Sequence, residues 1–240
     1  MAVLLGTAAC SSRAASANLT ARARLSARIA SPIHDIEPGQ HELALAASRN
    51  GILYVPRSYR RERPAPFILL LHGAGGSAGN WFGSYGARAE SLGAIMLAPE
   101  SRGPTWDAIR GDFGADVSFV DMALRYTFER CAIDRRRVAI AGFSDGATYA
   151  LSLGLPNGDL FTHVIAFSPG FIREDNPVGN PPLFVSHGVR DTILPIEATS
   201  RAIVPHLRAQ GYTVEYVEFA GGHSVPAEIA TQGLSWFLTT

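Results

Sequence analysis

Three side chains that together can cleave an acyl bond stand in this chain at the ends of stretches that read as buried strands. They are a serine, a carboxylate and an imidazole. The serine is Ser144, in Arg137-Val138-Ala139-Ile140-Ala141-Gly142-Phe143-Ser144-Asp145-Gly146-Ala147, which reads as strand, then G-x-S-x-G, then helix. A serine hydroxyl is a poor nucleophile unless a tight turn exposes it beside a base. Glycines at 142 and 146 let strand and helix approach without Cβ clashes. The helix that follows aims backbone N–H groups and its positive dipole end at a developing oxyanion. Taken alone, the pentapeptide also fits an inert Gly- and Ser-rich turn. Its weight comes from its place at a strand-to-helix junction midway along a βα series.

The partners follow in the order Ser, acid, His. The candidate acids downstream are Asp159, Glu174, Asp175 and Asp191. Asp191, in His187-Gly188-Val189-Arg190-Asp191, directly follows a strand-like run, on the rim where open α/β sheets place their sites. Asp175 lies deep in a Pro/Gly/Asn loop and reads as a turn residue. Of seven histidines, His34 and His41 precede the core, His163 opens a strand and His206 lies within a helix. His187 ends a strand and reads as packing or hydrogen bonding near the site. His223, in Gly221-Gly222-His223-Ser224, follows the last strand on a Gly-Gly loop able to deliver an imidazole to Ser144. The oxyanion donors expected are the N–H of Asp145 and that of Ala74, with Gly73 next, from the loop His72-Gly73-Ala74-Gly75-Gly76.

The elements that must position these groups alternate. Short apolar runs read as strands buried on both faces: Phe67 to Leu71, Ala94 to Ala98, Val138 to Ala141, Val164 to Phe167, Leu183 to Val185 and Val214 to Phe219. Helix-like stretches lie between them, at about Asp116 to Phe128, Gly146 to Leu155, Glu197 to Ala209 and Pro226 to Leu238. The pattern predicts an α/β fold with a mostly parallel sheet and helices on both faces. Near its start, Glu42 to Ala46 and Ile52 to Val55 flank Asn50-Gly51, which predicts an antiparallel hairpin. Residues 1–38, rich in Ala, Ser and Arg, read as a flexible leader, and 39–240 as one catalytic domain without a separate cap domain.

Composition removes whole mechanisms. The chain has 240 residues, and its 21 basic residues are all arginine. Without lysine there is no Schiff base, pyridoxal-phosphate anchor, Ser–Lys dyad or Walker A loop. A formal net charge of zero gives no reason to expect nucleic acid as a partner. Cys10 and Cys131 stand far apart in the sequence with no ligand-like spacing, which argues against a disulfide framework or a zinc site. No apolar run approaches the ~18 residues of a transmembrane span. Val3 to Ala9 ending at Cys10 fits the end of an export signal, with Cys10 as a lipid anchor of a periplasmic lipoprotein. It fits a cytoplasmic leader equally. Oligomeric state is not legible.

At these motifs the chain resembles the phospholipase/carboxylesterase branch of the α/β-hydrolases, with a fainter likeness to polyhydroxybutyrate depolymerase-like and dienelactone hydrolase-like members. Dienelactone hydrolases carry cysteine at the elbow, where this chain has Ser144. The resemblance implies an α/β-hydrolase fold and hydrolysis of carboxylic esters through an acyl-enzyme, with no cofactor. Ser144 would attack, His223 shuttle the proton and Asp191 hold the imidazole. A small-molecule ester would enter an open cleft, with His72, Gly75, Trp81, Trp106 and Phe143 as candidate pocket residues. A peptidase or thioesterase would use the same triad. A Rossmann NAD(P)-dependent oxidoreductase is the competing fold, because Gly73-Ala74-Gly75-Gly76-Ser77-Ala78 satisfies G-x-G-x-x-A and Glu100 closes the next strand.

Overall fold

The computed structural model describes residues 23–240. Eight strands form one sheet among them: β1 (Gly39–Glu42), β2 (Gly51–Val55), β3 (Ala65–Leu71), β4 (Ile95–Pro99), β5 (Ile133–Phe143), β6 (His163–Phe167), β7 (Leu183–Gly188) and β8 (Val214–Phe219). Their spatial order is β1-β2-β4-β3-β5-β6-β7-β8. β1 and β2 are antiparallel to their neighbours, and β3 through β8 are parallel. The helices are α1 (Ala78–Leu92), α2 (Asp107–Arg110), α3 (Ala115–Phe128), α4 (Asp145–Gly154), α5 (Ser200–Ala209) and α6 (Ala227–Thr239).

Burial explains the continuous apolar runs. Along β3, Phe67, Leu69 and Leu71 join a core layer with Val120 and Leu124 of α3, Ala147 and Leu151 of α4, and Val204 and Leu207 of α5. The alternate residues Ile68 and Leu70 face Trp81 and Tyr85 of α1 and Leu234 and Phe237 of α6. A strand covered on both faces has no polar side to show. Every parallel strand ends on the same rim, which is where Ser144 and the loops after β3, β6, β7 and β8 meet.

The structure departs from the sequence reading in four places. The first strand is Gly39–Glu42, earlier than the expected 42–46, and Asn50-Gly51 does not make a two-residue turn. Instead Asn50 Oδ1 accepts from the N–H groups of Leu45 (2.8 Å) and Ala46 (2.7 Å), and its Nδ2 donates to Ala46 O. The side chain thereby organises a longer loop. Helix α1 was not expected, because three glycines break its periodicity. Ser77 caps its start and Gly93, at φ 61°, ends it in the left-handed conformation. The dinucleotide reading of the same segment fails, since the sheet opens with an antiparallel pair and Glu100 Oε1 accepts from Ala78 N–H at 3.2 Å.

The fourth departure is the leader. Cys10 and the rest of 1–22 lie outside the described residues, but 23–38 pack against the domain. Ala23, Leu25 and Ala27 are buried. Leu25 N–H donates to Asn157 Oδ1 at 2.9 Å, and Asn157 Nδ2 returns a bond to Ala23 O at 2.7 Å. Ile33 and His34 N–H both donate to Glu129 O. Two arginines, Arg24 and Arg28, close on Asp159. An extended segment with its backbone paired in this way is part of the domain, not a free tail. Among the described residues no helix is long and apolar enough to cross a membrane.

Candidate active site

The site grows from the turn between β5 and α4. Ser144 has φ 55° and ψ −123°, a backbone state that an L-residue adopts only under constraint. The constraint is the packing of strand, turn and helix. A Cβ on Gly142 would sit 2.2 Å from Gly146 O, and one on Gly146 would sit 2.2 Å from Leu71 O. Only glycine fits either place. Ser144 N–H donates to Phe167 O at 2.9 Å, and its carbonyl accepts from Ala147 and Thr148 as α4 begins. The hydroxyl is thus presented above the sheet.

His223 reaches it from the loop after β8. Its Nε2 lies 2.9 Å from Ser144 Oγ and its Nδ1 2.6 Å from Asp191 Oδ2. The Asp191 side chain is fully shielded from solvent. Burial alone would push its carboxyl up. Hydrogen bonds from Leu194 N–H (2.8 Å), from His223 and from Ile193 N–H (2.9 Å) outweigh this and hold it below the usual carboxylate range. The ionised acid therefore persists beside the imidazole. With Nδ1–H held by Asp191, the free lone pair of Nε2 faces the serine hydroxyl, the arrangement proton abstraction needs.

Gly73, in the loop after β3, lies directly over the turn: a Cβ there would be 3.3 Å from Ser144 Cβ. Ala74 beside it is exposed, and Asp145 starts α4. Gly75 N–H donates to Pro104 O at 2.7 Å, which fixes the loop from the other side. Asp145 Oδ2 accepts from Thr105 Oγ1 at 2.6 Å, so the 101–106 segment is tied to the start of α4.

Two candidate pocket residues sit beneath this surface instead of on it. His72 is buried, with Nε2 accepting from Ser101 N–H (3.0 Å) and Nδ1 against Gly73 O (2.7 Å). Trp106 is fully buried, donates from Nε1 to His72 O (2.8 Å) and stacks on Tyr149. Both support the loop from below, because their polar atoms are spent on its backbone. Phe143 packs on the His223 ring with centroids 4.7 Å apart, and Trp81 meets Phe143 edge-on at 6.1 Å. Gly75 is exposed.

Other residues here escaped the sequence reading. Phe171 and Ile193 are large and exposed on the same rim, 40% and 67% accessible. Gly170, next to Phe171, packs against Leu194, next to Ile193. No periodicity marks such loop residues, so only the fold reveals them. Among the described residues no cluster of His, Cys, Asp and Glu is arranged to hold a metal ion.

Comparison with known proteins follows the same lines. A family model described as Phospholipase/Carboxylesterase matches residues 112–238. Over 157 residues the chain is 28% identical to a protein described as "Probable feruloyl esterase C" of Aspergillus oryzae, covering 62% of this chain and 57% of that one. The counterpart of Aspergillus flavus is 27% identical over the same length, with the same coverage. The chain thus spans less than two thirds of the curated relatives it matches. Among solved structures, esterase 2 of Thermogutta terrifontis phosphorylated by paraoxon superposes with a TM-score of 0.64 at 18% identity, over 84% of this chain and 92% of that one. Esterase PE8 gives 0.61 at 17% identity, over 85% and 99%. At such identities the likeness is one of fold.

Proposed function

The chain belongs to the phospholipase/carboxylesterase family, and on that premise we propose that it hydrolyses carboxylic esters through an acyl-enzyme formed on Ser144. The single observation carrying this is the continuous hydrogen-bonded path from Ser144 Oγ through His223 to Asp191, at 2.9 Å and 2.6 Å. Ser144 Oγ attacks the ester carbonyl carbon while its proton passes to His223 Nε2. The negative charge moves to the carbonyl oxygen, where the N–H groups of Asp145 and of Ala74 or Gly73 receive it. As the C–O bond breaks, His223 returns the proton to the departing alcohol. Water then repeats the sequence on the acyl-serine, losing its proton to His223, and releases the acid. Asp191 stays ionised throughout and steadies the imidazolium.

The ring of Phe143, the exposed Phe171 and Ile193 and a connection between β6 and β7 (168–182) that carries no helix or strand support an open, partly apolar cleft. The feruloyl description of the Aspergillus relatives supports including an aromatic acyl ester among the candidate substrates. The test is a panel of p-nitrophenyl esters of rising chain length with methyl ferulate, run beside thioester and peptide substrates. Ester turnover with a covalent fluorophosphonate adduct, both abolished by Ser144→Ala, is expected. Turnover that survives Ser144→Ala, or a preference for peptide or thioester bonds, overturns the reading.

A further inference from the structure

We propose that His187 is a positioning residue for the Asp191 carboxylate, a second imidazole that holds the loop on which the acid is mounted. The inference rests on the reading of Asp191 as the group that orients His223. His187 is the penultimate residue of β7, four residues before Asp191, and both side chains are closed off from solvent. Its Nε2 lies 2.8 Å from Leu194 O and 3.2 Å from Asp191 Oδ2, the same oxygen that holds His223 Nδ1. Its Nδ1 lies 2.7 Å from the hydroxyl of Ser200, the buried first residue of α5.

The tautomer follows from these contacts. Nε2 faces two oxygens that can only accept, so it must carry a proton. A second proton on Nδ1 would place a full charge in a dry site, and burial indeed holds the imidazole below its ordinary range. His187 is therefore the neutral Nε2–H form, and Ser200 O–H donates into the vacant Nδ1 lone pair. A chain of defined donors results: Ser200 to His187, His187 to Leu194 O, Leu194 N–H to Asp191 Oδ1 and His223 to Asp191 Oδ2, with the His187 N–H dipole 3.2 Å from Oδ2. Oδ1 of Asp191 is meanwhile held by the N–H groups of Ile193 and Leu194. Oδ1 takes two N–H groups and Oδ2 takes His223, so the carboxylate cannot rotate without breaking several bonds at once. A fixed carboxylate fixes the imidazole plane of His223, and misplacement of such groups by an ångström is costly in rate. His187 touches neither substrate nor Ser144 and acts only through Asp191.

The charged and titratable groups facing His187 are Asp191 on its own loop, His223 after β8, and Glu218 on β8, whose carboxyl senses the imidazole. Two measurements test the proposal. In ¹⁵N-histidine NMR of the intact protein, His187 is expected as a neutral Nε2–H imidazole that protonates only at lower pH than an unperturbed histidine. An Nδ1–H tautomer, or protonation at or above the ordinary histidine range, overturns the wiring whether or not any ester is turned over. In ester assays, His187→Leu is expected to lower kcat on the order of a hundredfold with KM little changed, and His187→Gln to keep it within roughly tenfold of the parent. Gln can still direct an N–H at Leu194 O. Were His187 only packing, the reverse order would hold, since apolar Leu suits a dry site better than Gln. Equal or better activity of His187→Leu therefore rejects the role. Should His187→Leu not fold, Ser200→Ala, which frees Nδ1, is expected to lower kcat with the tautomer signal broadened or shifted, and an unchanged kcat and spectrum count against the proposal. A parent enzyme inert toward every ester would sink the esterase reading, while the NMR result still decides this one.

Discussion

The φ of 55° at Ser144 is where stability and the proposed chemistry pull apart. Backbone held in a sparsely populated region costs about 1–3 kcal/mol, and the surrounding packing must sustain it. Glycine carries no such penalty, so Ser144→Gly should unfold at a higher urea concentration than Ser144→Ala. In ordinary helical positions the order is the opposite, with Gly about 0.5–1 kcal/mol less stable than Ala. Urea titration of the two inactive variants side by side checks this, and Ala proving the more stable would mean the turn is unstrained. The turn itself was legible because its glycines answer a geometric need that can be stated in advance. His72 and Trp106 were not. An aromatic after a strand end reads the same whether it lines a cleft or props a loop, and only the spent hydrogen bonds of both rings decide. The place of His187 was half legible, since the sequence put it near the site without saying that its Nε2 would reach Leu194 O.

Elements were legible in proportion to how much of their stability is local. The inner parallel strands announce themselves as apolar runs, since they are covered twice. β8, expected to be buried on both faces, is instead the sheet edge, where Glu215 and Glu218 face solvent and only Val214 is buried. α1 does not, because Gly79, Gly83 and Gly86 weaken its intrinsic propensity and its existence depends on Trp81, Tyr85 and Ala89 packing under the sheet. Gly83 faces solvent, and a Cβ there would meet nothing within 4 Å. Gly83→Ala should therefore stabilise the protein by about 0.5–1 kcal/mol without altering kcat. That corresponds to a rise in Tm of about 1–4 °C for a chain of this size. Thermal melts and ester assays together test it. A fall in Tm would show that α1 needs the glycine for a reason outside its own backbone. The hairpin misreading has a similar root. Asn50-Gly51 is a strong local signal, but here the Asn side chain bonds to Leu45 and Ala46 and lengthens the connection.

At the scale of the whole molecule, two features bind distant parts and were poorly legible. The segment from Ala23 hides an apolar alternation of only Ala, Leu and Ala among Arg and Ser, too weak to distinguish from a leader. Asn157 fastens it, donating to Ala23 and Leu153 and accepting from Leu25 while fully buried. Asn157→Ala leaves those groups without partners and should cost about 1–3 kcal/mol, read as a lower urea midpoint with an unchanged ester KM. The second feature is three buried histidines, at the ends of three different strands. His72, His163 and His187 are each held below the ordinary 6.5 by burial. The unfolded chain then binds protons that the native state refuses, so the stability they carry is complete above 6.5 and is lost as pH falls through that value toward the folded pKa values. Asp116, held above its ordinary 3.8 by burial, works in the opposite sense, since its stabilising share is complete below that value. Its window lies lower, so the histidines set the trend in mildly acidic solution. The urea midpoint should accordingly drop between about pH 8 and about pH 5.5, before the carboxylates with lowered values lose their share below about pH 4. His163, edge-packed by Trp236 and Phe237, is the member farthest from the proposed chemistry. His163→Gln should shrink the drop while leaving ester turnover intact, and equal midpoints at the two pH values in the parent protein would show that burial of these rings is not linked to protons at all.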